Sequence, residues 1–184
     1  MTGYLRILTV CSFNRARSVA IASHLRQCLR GTSVEAHIVG AGFGPSGEPP
    51  VAEVTAALAH VGIDVAGYRS RTIDATTMAG ADLIITAERI HVVRLCEDHR
   101  ELFPRAFTLP ELVLHAESVG SRQGAPIAEW LQQLGVTRTP ADFLSSTGAG
   151  SVPEIADPTG LAAVAVGAAV ADIGEWCRRL AVLL

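Results

Sequence analysis

Apolar runs of strand length alternate with stretches of helical spacing along most of this chain. Residues 5–10 carry Leu5, Ile7, Leu8 and Val10 in a short run bounded by polar residues, which predicts a first buried strand. Residues 18–29 then place Val19, Ile21, Ala22, Leu25 and Leu29 at helical spacing, with Gly31 just beyond as a stop signal. The same alternation repeats. A second strand is expected at 36–39 and a second helix at 51–61. A short buried strand follows at 82–86, a helix at 88–96, a fourth strand at 106–109 and a long last helix at 161–183. Strands alternating with helices predict an α/β fold with a doubly wound, four-stranded parallel sheet and helices on both faces. Ligands on such sheets bind beyond the C-terminal ends of the strands.

Residues 118–153 break the rhythm. Gly120, Gly124, Pro126, Gly135, Pro140, Gly148 and Gly150 punctuate them, with one helix expected at 125–134. The stretch reads as a loop-rich surface excursion that returns to the rim of the site, so residues 1–184 are expected to form a single domain.

Composition narrows the picture. Of 184 residues, 49% are apolar but only 5% aromatic, so the core must be built from Ala, Val, Leu and Ile. A net charge of −3 gives no electrostatic case for nucleic acid or an anionic membrane as partner. Residues 1–4 run straight into strand pattern without a signal-peptide profile. The least polar late run, 161–171, is too short to span a bilayer. Cys11, Cys28, Cys96 and Cys177 are scattered with no Cys-x-x-Cys pair, which suits reduced thiols and a cytoplasmic chain.

Chemistry concentrates where the first strand meets the first helix, in Val10-Cys11-Ser12-Phe13-Asn14-Arg15-Ala16-Arg17-Ser18. A thiol, five residues and an arginine can wrap a phosphate-sized oxyanion with backbone N–H groups, backed by the positive end of the following helix. Arg17 can grip two oxygens in fork geometry, and its charge with the helix dipole favours the thiolate of Cys11. The segment reads as a nucleophile aimed at an anionic tetrahedral centre, chemistry that needs neither metal nor cofactor. Asp157, held extended by Pro158 just before the last helix, can protonate a leaving oxygen and later activate a water.

Together these pieces resemble the low-molecular-weight protein tyrosine phosphatase family. Its loop, Val-Cys-x-Gly-Asn-x-Cys-Arg-Ser-Pro, is matched by Val10, Cys11, Asn14, Arg17 and Ser18. Ala41-Gly42, Gly62-Ile63-Asp64, Ala81-Asp82-Leu83-Ile84 and Asp157-Pro158 look like its later landmarks in the right order. The resemblance implies that Cys11, Arg17 and Asp157 are catalytic and that Ser12, Phe13, Asn14, Arg15, Ala16, Arg17 and Ser18 bind phosphate. It further implies that Ser18 donates a hydrogen bond to the Cys11 sulfur and that the Asn14 amide fixes the loop. The expected activity is hydrolysis of a phosphotyrosine protein or small aryl phosphate through a phosphocysteine.

The departures are specific. Phe13 replaces the loop glycine and Ala16 the second loop cysteine, while Val19 stands for the usual proline and Gly40 for a serine. Thr159 occupies a position that is aromatic in many members, leaving Phe13 and Phe43 as candidate walls for an aryl ring. The loop from Gly40 to Pro50 is expected to form one side of the entrance. Two alternatives stay open: an arsenate reductase coupled to a low-molecular-weight thiol, and a phosphate-binding module without turnover. Gly40-Ala41-Gly42-Phe43-Gly44 also suggests a dinucleotide fingerprint, but Pro45 takes the third glycine position, so a glycine-rich turn is the better reading. His91, Cys96 and His99 do not share one helical face, so they predict no zinc site.

Overall fold

The strand Leu5–Cys11 (β1) is buried along nearly its whole length, and the rest of the chain is layered around it. The structure, a computed structural model, describes residues 4–145 and 152–184. β1 pairs in parallel with Ala36–Gly42 (β2) on one side and Leu83–Thr86 (β3) on the other, and β3 pairs with Ala106–Thr108 (β4). The order β2-β1-β3-β4 is the four-stranded parallel sheet that the alternating pattern predicts.

The period of two along each strand sorts its side chains onto two faces. Leu5, Ile7, Ile38, Leu83 and Ile85 point into one apolar layer. It is closed by Arg17–Leu29 (α1), Leu109–Val119 (α5), Ile127–Leu134 (α6) and Ala163–Leu183 (α8). Leu8, Val10, Ala41 and Ile84 point into the other, closed by Arg89–Asp98 (α4) and the 3-10 turn Arg100–Arg105. Ala52–His60 (α2) adds Val54 and Leu58 to the first layer. Full burial of each large aliphatic residue stabilises by roughly 1.5–3 kcal/mol. Two helix-covered faces therefore explain why the strands read as apolar runs.

Several elements differ from the sequence expectation. β2 runs on to Gly42, because Gly40, Ala41 and Gly42 stay in register with Thr9, Val10 and Cys11. Ala75–Gly80 (α3) is a helix capped by Asp74, whose side chain accepts the Thr77 N–H. The expected fourth strand stops at Thr108, one residue early, and α5 begins at once. A capping box in the sequence explains this: the Thr108 hydroxyl accepts the Glu111 N–H and the Glu111 carboxylate accepts the Thr108 N–H.

The stretch 118–153 holds more structure than expected. α6 inserts Trp130, Leu131 and Leu134 into the first apolar layer, and a further helix, Pro140–Ser145 (α7), sets Phe143 in the second. Gly148 and Gly150 lie outside the described residues. No helix among the described residues is long and apolar enough to cross a membrane.

Candidate active site

β1, the central strand, ends on Cys11, and residues 12–16 wrap back over that end before α1 starts. Among the described residues, the backbone N–H groups of 12–16 have no protein acceptor. A turn that leaves consecutive backbone donors unused is built for an anion.

The loop is fixed by its side chains. Asn14 is fully buried and left-handed (φ 53°), a conformation asparagine tolerates and a bulky residue does not. Its amide oxygen accepts the Tyr68 hydroxyl and the Arg71 N–H, each at 2.9 Å, while its Nδ2 donates to Ser18 Oγ at 2.9 Å. Because Ser18 Oγ accepts from Asn14, its own proton is available to Cys11 Sγ, 3.0 Å away. Ser18 therefore faces the thiol and does not cap α1, whose N-cap is Ala16 with no side-chain hydrogen bond. Arg15 ties the loop to the segment before α2, its Nε donating to the Pro49 carbonyl at 2.8 Å.

Phe13, where the family has glycine, does not take a positive φ, so its β-carbon meets no conformational penalty. Its ring is 58% exposed and lies over Gly44, where an added β-carbon would come within 2.4 Å of it. Gly42 lets the loop approach β2, since a β-carbon there would sit 2.6 Å from the Asn14 nitrogen. The alternating glycines of β2 thus make room for the loop, Gly42 for its backbone and Gly40 for the Asn14 and Tyr68 side chains, and not for a dinucleotide.

Arg17 opens α1 yet is only 2% exposed. Its Nη1 pairs with Glu88 Oε2 at 2.5 Å and donates to the Ile155 carbonyl at 3.1 Å. Its Nη2 donates to Asp157 Oδ2 at 2.8 Å. Its Nε, equally buried, has no partner among the described residues. Asp157 is brought 140 residues along the sequence to this point by backbone ties. The Ile155 N–H donates to the Ala87 carbonyl beyond β3, Thr108 Oγ1 at the end of β4 donates to the Pro153 carbonyl, and the Arg89 N–H donates to Glu154. Asp157 itself is 42% exposed, and its Oδ1 accepts the Thr159 N–H.

These groups enclose a cavity of about 70 Å³ lined by Cys11 and every loop residue from Ser12 to Arg17 except Asn14, together with Val51, Asp157 and Thr159. Asn14 and Ser18 stand behind the lining as supports. Phe43, expected as a possible wall, is not one: it stacks on His91 at 6.0 Å, with Arg94 3.9 Å over its ring. The loop from Gly40 to Pro50 likewise braces Phe13 and Arg15 from outside, and Val51 just after it reaches the cavity.

Two residues at the site, Glu88 and His91, carry no sequence signal of their own. They belong to the first turn of α4 and meet the loop only because β3 lies beside β1. His91 Nε2 is 3.0 Å from Ser12 Oγ. Burial foremost, then the nearby Arg17 and Arg94 cations, lower its pKa from 6.5 to about 4, so the ring is neutral.

A parallel four-stranded sheet with an anion cradle between a thiol and a buried arginine fits the low-molecular-weight class of cysteine phosphatases, and the comparisons with known proteins agree. A profile of low molecular weight phosphotyrosine protein phosphatases matches residues 6–118. A probable low molecular weight protein-tyrosine-phosphatase, EpsP, of Ralstonia nicotianae is 32% identical over 106 residues, 58% of this chain and 71% of the relative. In fold, the chain is similar to the YwlE arginine phosphatase from Geobacillus stearothermophilus, with a TM-score of 0.70, 23% identity and coverage of 96% and 90%. It is also similar to Vibrio vulnificus Wzb in complex with benzylphosphonate, with a TM-score of 0.69, 20% identity and coverage of 99% and 100%. The chain belongs to the low molecular weight phosphotyrosine protein phosphatase family. It is a phosphatase, and neither arsenate reduction nor a purely binding role is favoured by these relatives.

Proposed function

We propose that Cys11, Arg17 and Asp157 hydrolyse the phosphate ester of phosphotyrosine in proteins, or of a small aryl phosphate, by covalent catalysis. The observation that carries this reading is the buried Nε of Arg17, a cationic donor with no partner among the described residues, on a side chain that lines one cavity with Cys11. An unsatisfied buried donor of this kind costs free energy until an oxyanion fills it. A phosphoryl group takes the orphan N–H groups of 12–16 and the Arg17 Nε, and competes with Asp157 for Nη2.

Cys11 Sγ then attacks phosphorus in line, the bond to the ester oxygen breaks, and Asp157 gives that oxygen its proton. Loop donors and Arg17 stabilise charge on the equatorial oxygens. Asp157, now ionised, takes a proton from water, which attacks the phosphocysteine and releases inorganic phosphate and the Cys11 thiolate. Ser18 stabilises that thiolate in both half-reactions.

Among the described residues that line the cavity, Phe13 is the one aromatic side chain. Aryl phosphates are therefore hydrolysed with modest discrimination against alkyl phosphates. The unpaired cysteines fit a cytoplasmic setting.

The test is turnover of p-nitrophenyl phosphate, phosphotyrosine, phosphoserine and phosphoarginine by wild type, Cys11→Ser and Asp157→Ala. Cys11→Ser should show no turnover above background. Asp157→Ala should lose least on p-nitrophenyl phosphate, whose leaving group needs least help. Substantial activity in Cys11→Ser would sink the proposal.

A further inference from the structure

His91 lies outside the motif, yet it is 1% exposed and its ring touches the phosphate loop. Its hydrogen bonds fix which nitrogen carries the proton. Nδ1 is 3.1 Å from the Glu88 backbone nitrogen, whose N–H can only donate, so Nδ1 is the acceptor. The proton of the neutral ring is therefore on Nε2, which faces Ser12 Oγ at 3.0 Å and Glu88 Oε2 at 3.5 Å. Phe43 stacks on the ring at 6.0 Å and an interplanar angle of 19°, and the Phe43 N–H donates to the Ser12 carbonyl at 2.8 Å. Ring and loop are thus held against each other from two sides.

A serine hydroxyl that accepts a hydrogen bond must point its own proton elsewhere. Among the described residues Ser12 Oγ has no second partner, and Ser12 lines the cavity beside Cys11 and Arg17. We infer that His91 is a positioning residue of the anion cradle: by donating from Nε2 to Ser12 Oγ, it turns the Ser12 hydroxyl proton into the cavity as a further donor to the phosphoryl oxygens. A hydrogen bond to a doubly charged oxyanion is among the stronger kinds, so this donor contributes in the ground state and through the reaction. Glu88 completes the unit. Its backbone sets the tautomer through Nδ1 and its carboxylate pairs with Arg17, so one residue orients both donors. This inference rests on the phosphatase reading of the cradle.

The experiment is a double-mutant cycle of Ser12→Ala and His91→Met, with His91→Gln as rescue, because a glutamine amide can return an N–H donor near the Nε2 position. Two quantities are read for each variant: affinity for inorganic phosphate, by protection of Cys11 from iodoacetamide, and kcat and KM on p-nitrophenyl phosphate. Ser12→Ala and His91→Met should each weaken phosphate binding by about tenfold, and the double variant should be no weaker than either. His91→Gln should return to within about twofold of wild type. Multiplying losses in the double variant, or a folded His91→Met with wild-type phosphate affinity, overturn the inference. If His91→Met does not fold, Ser12→Ala alone decides: unchanged phosphate affinity overturns it, and a weakened one rescued in Ser12→Thr supports it. A wild type that binds phosphate without hydrolysing ester overturns the phosphatase roles and leaves the cycle to judge His91. A wild type that binds no phosphate overturns both.

Discussion

Two arginines of this molecule are buried to nearly the same degree and could hardly be used more differently. Arg138 ties together the 3-10 turn, β4 and α5: its Nε donates to Glu111 Oε1, its Nη1 to the Phe103 carbonyl and its Nη2 to the Ala106 carbonyl, each at 2.6 Å. Its guanidinium also lies 3.9, 4.3 and 4.8 Å from the ring centres of Phe103, Phe107 and Phe143. Arg17 has two carboxylates and a carbonyl on its Nη atoms, yet its Nε is left without a partner among the described residues. Burial of a cation therefore does not by itself mark a site. An unfilled donor alone does not mark one either, since the Arg105 Nε is likewise buried and without a partner among the described residues; what sets Arg17 apart is that it lines one cavity with Cys11 and Asp157.

The comparison breaks if the two positions respond alike. Arg17→Lys should lower kcat/KM by about 10³-fold, because a point charge cannot reproduce the fork, while the melting temperature stays within a few degrees. Arg138→Met should do the opposite. Leaving Glu111 buried without its cation should cost about 3–5 kcal/mol by denaturant unfolding, with kcat/KM of the folded fraction unchanged. Adding Glu111→Gln, which removes the charge but keeps an amide oxygen for the Thr108 N–H, should recover most of that loss.

A pH series sharpens the contrast, since His91 is the titrating neighbour of Arg17. The unfolded chain protonates this imidazole near 6.5, whereas the folded chain resists until about 4. The unfolded state thus binds more protons in that window, so stability is complete above 6.5 and falls as pH drops through it. The loss attributable to His91 between pH 7 and pH 5 should be about 2 kcal/mol, and His91→Gln should flatten the profile by that amount. A profile identical in wild type and variant would remove His91 from the account. The smallest effect belongs to Ser18→Ala: slower alkylation of Cys11 by iodoacetamide, with less than the roughly 1 kcal/mol of stability that losing a helix cap costs.

The sheet was legible because buried parallel strands read as apolar runs, and the Cys11–Ser18 loop because its chemistry is local in sequence. α5 was missed although Thr108, Pro110 and Glu111 spell its start, since the apolar run before them was carried one residue too far. Trp130 and Phe143 were hidden by the glycines and prolines around them, which report turns but not where the helices between them pack. At the site, Cys11, Arg17 and Asp157 do converge. Glu88 and His91 could not be foreseen, because a glutamate and a histidine in a first helical turn are ordinary. Only the pairing of β3 with β1 sets them against Arg17 and Ser12.

Gly42 shows how far the site's shape depends on positions that never meet a substrate. An added methyl group would press on the Asn14 nitrogen at 2.6 Å, the Cys11 carbonyl at 2.8 Å and the Phe13 backbone at 2.9 Å, all of it main chain with no rotamer to yield. A variant catalogue that scores this protein by Cys11, Arg17 and Asp157 would pass Gly42→Ala as intact. The mould in which those three are cast would nonetheless be spoiled, and such an allele would behave as a loss of function with every reacting group in place.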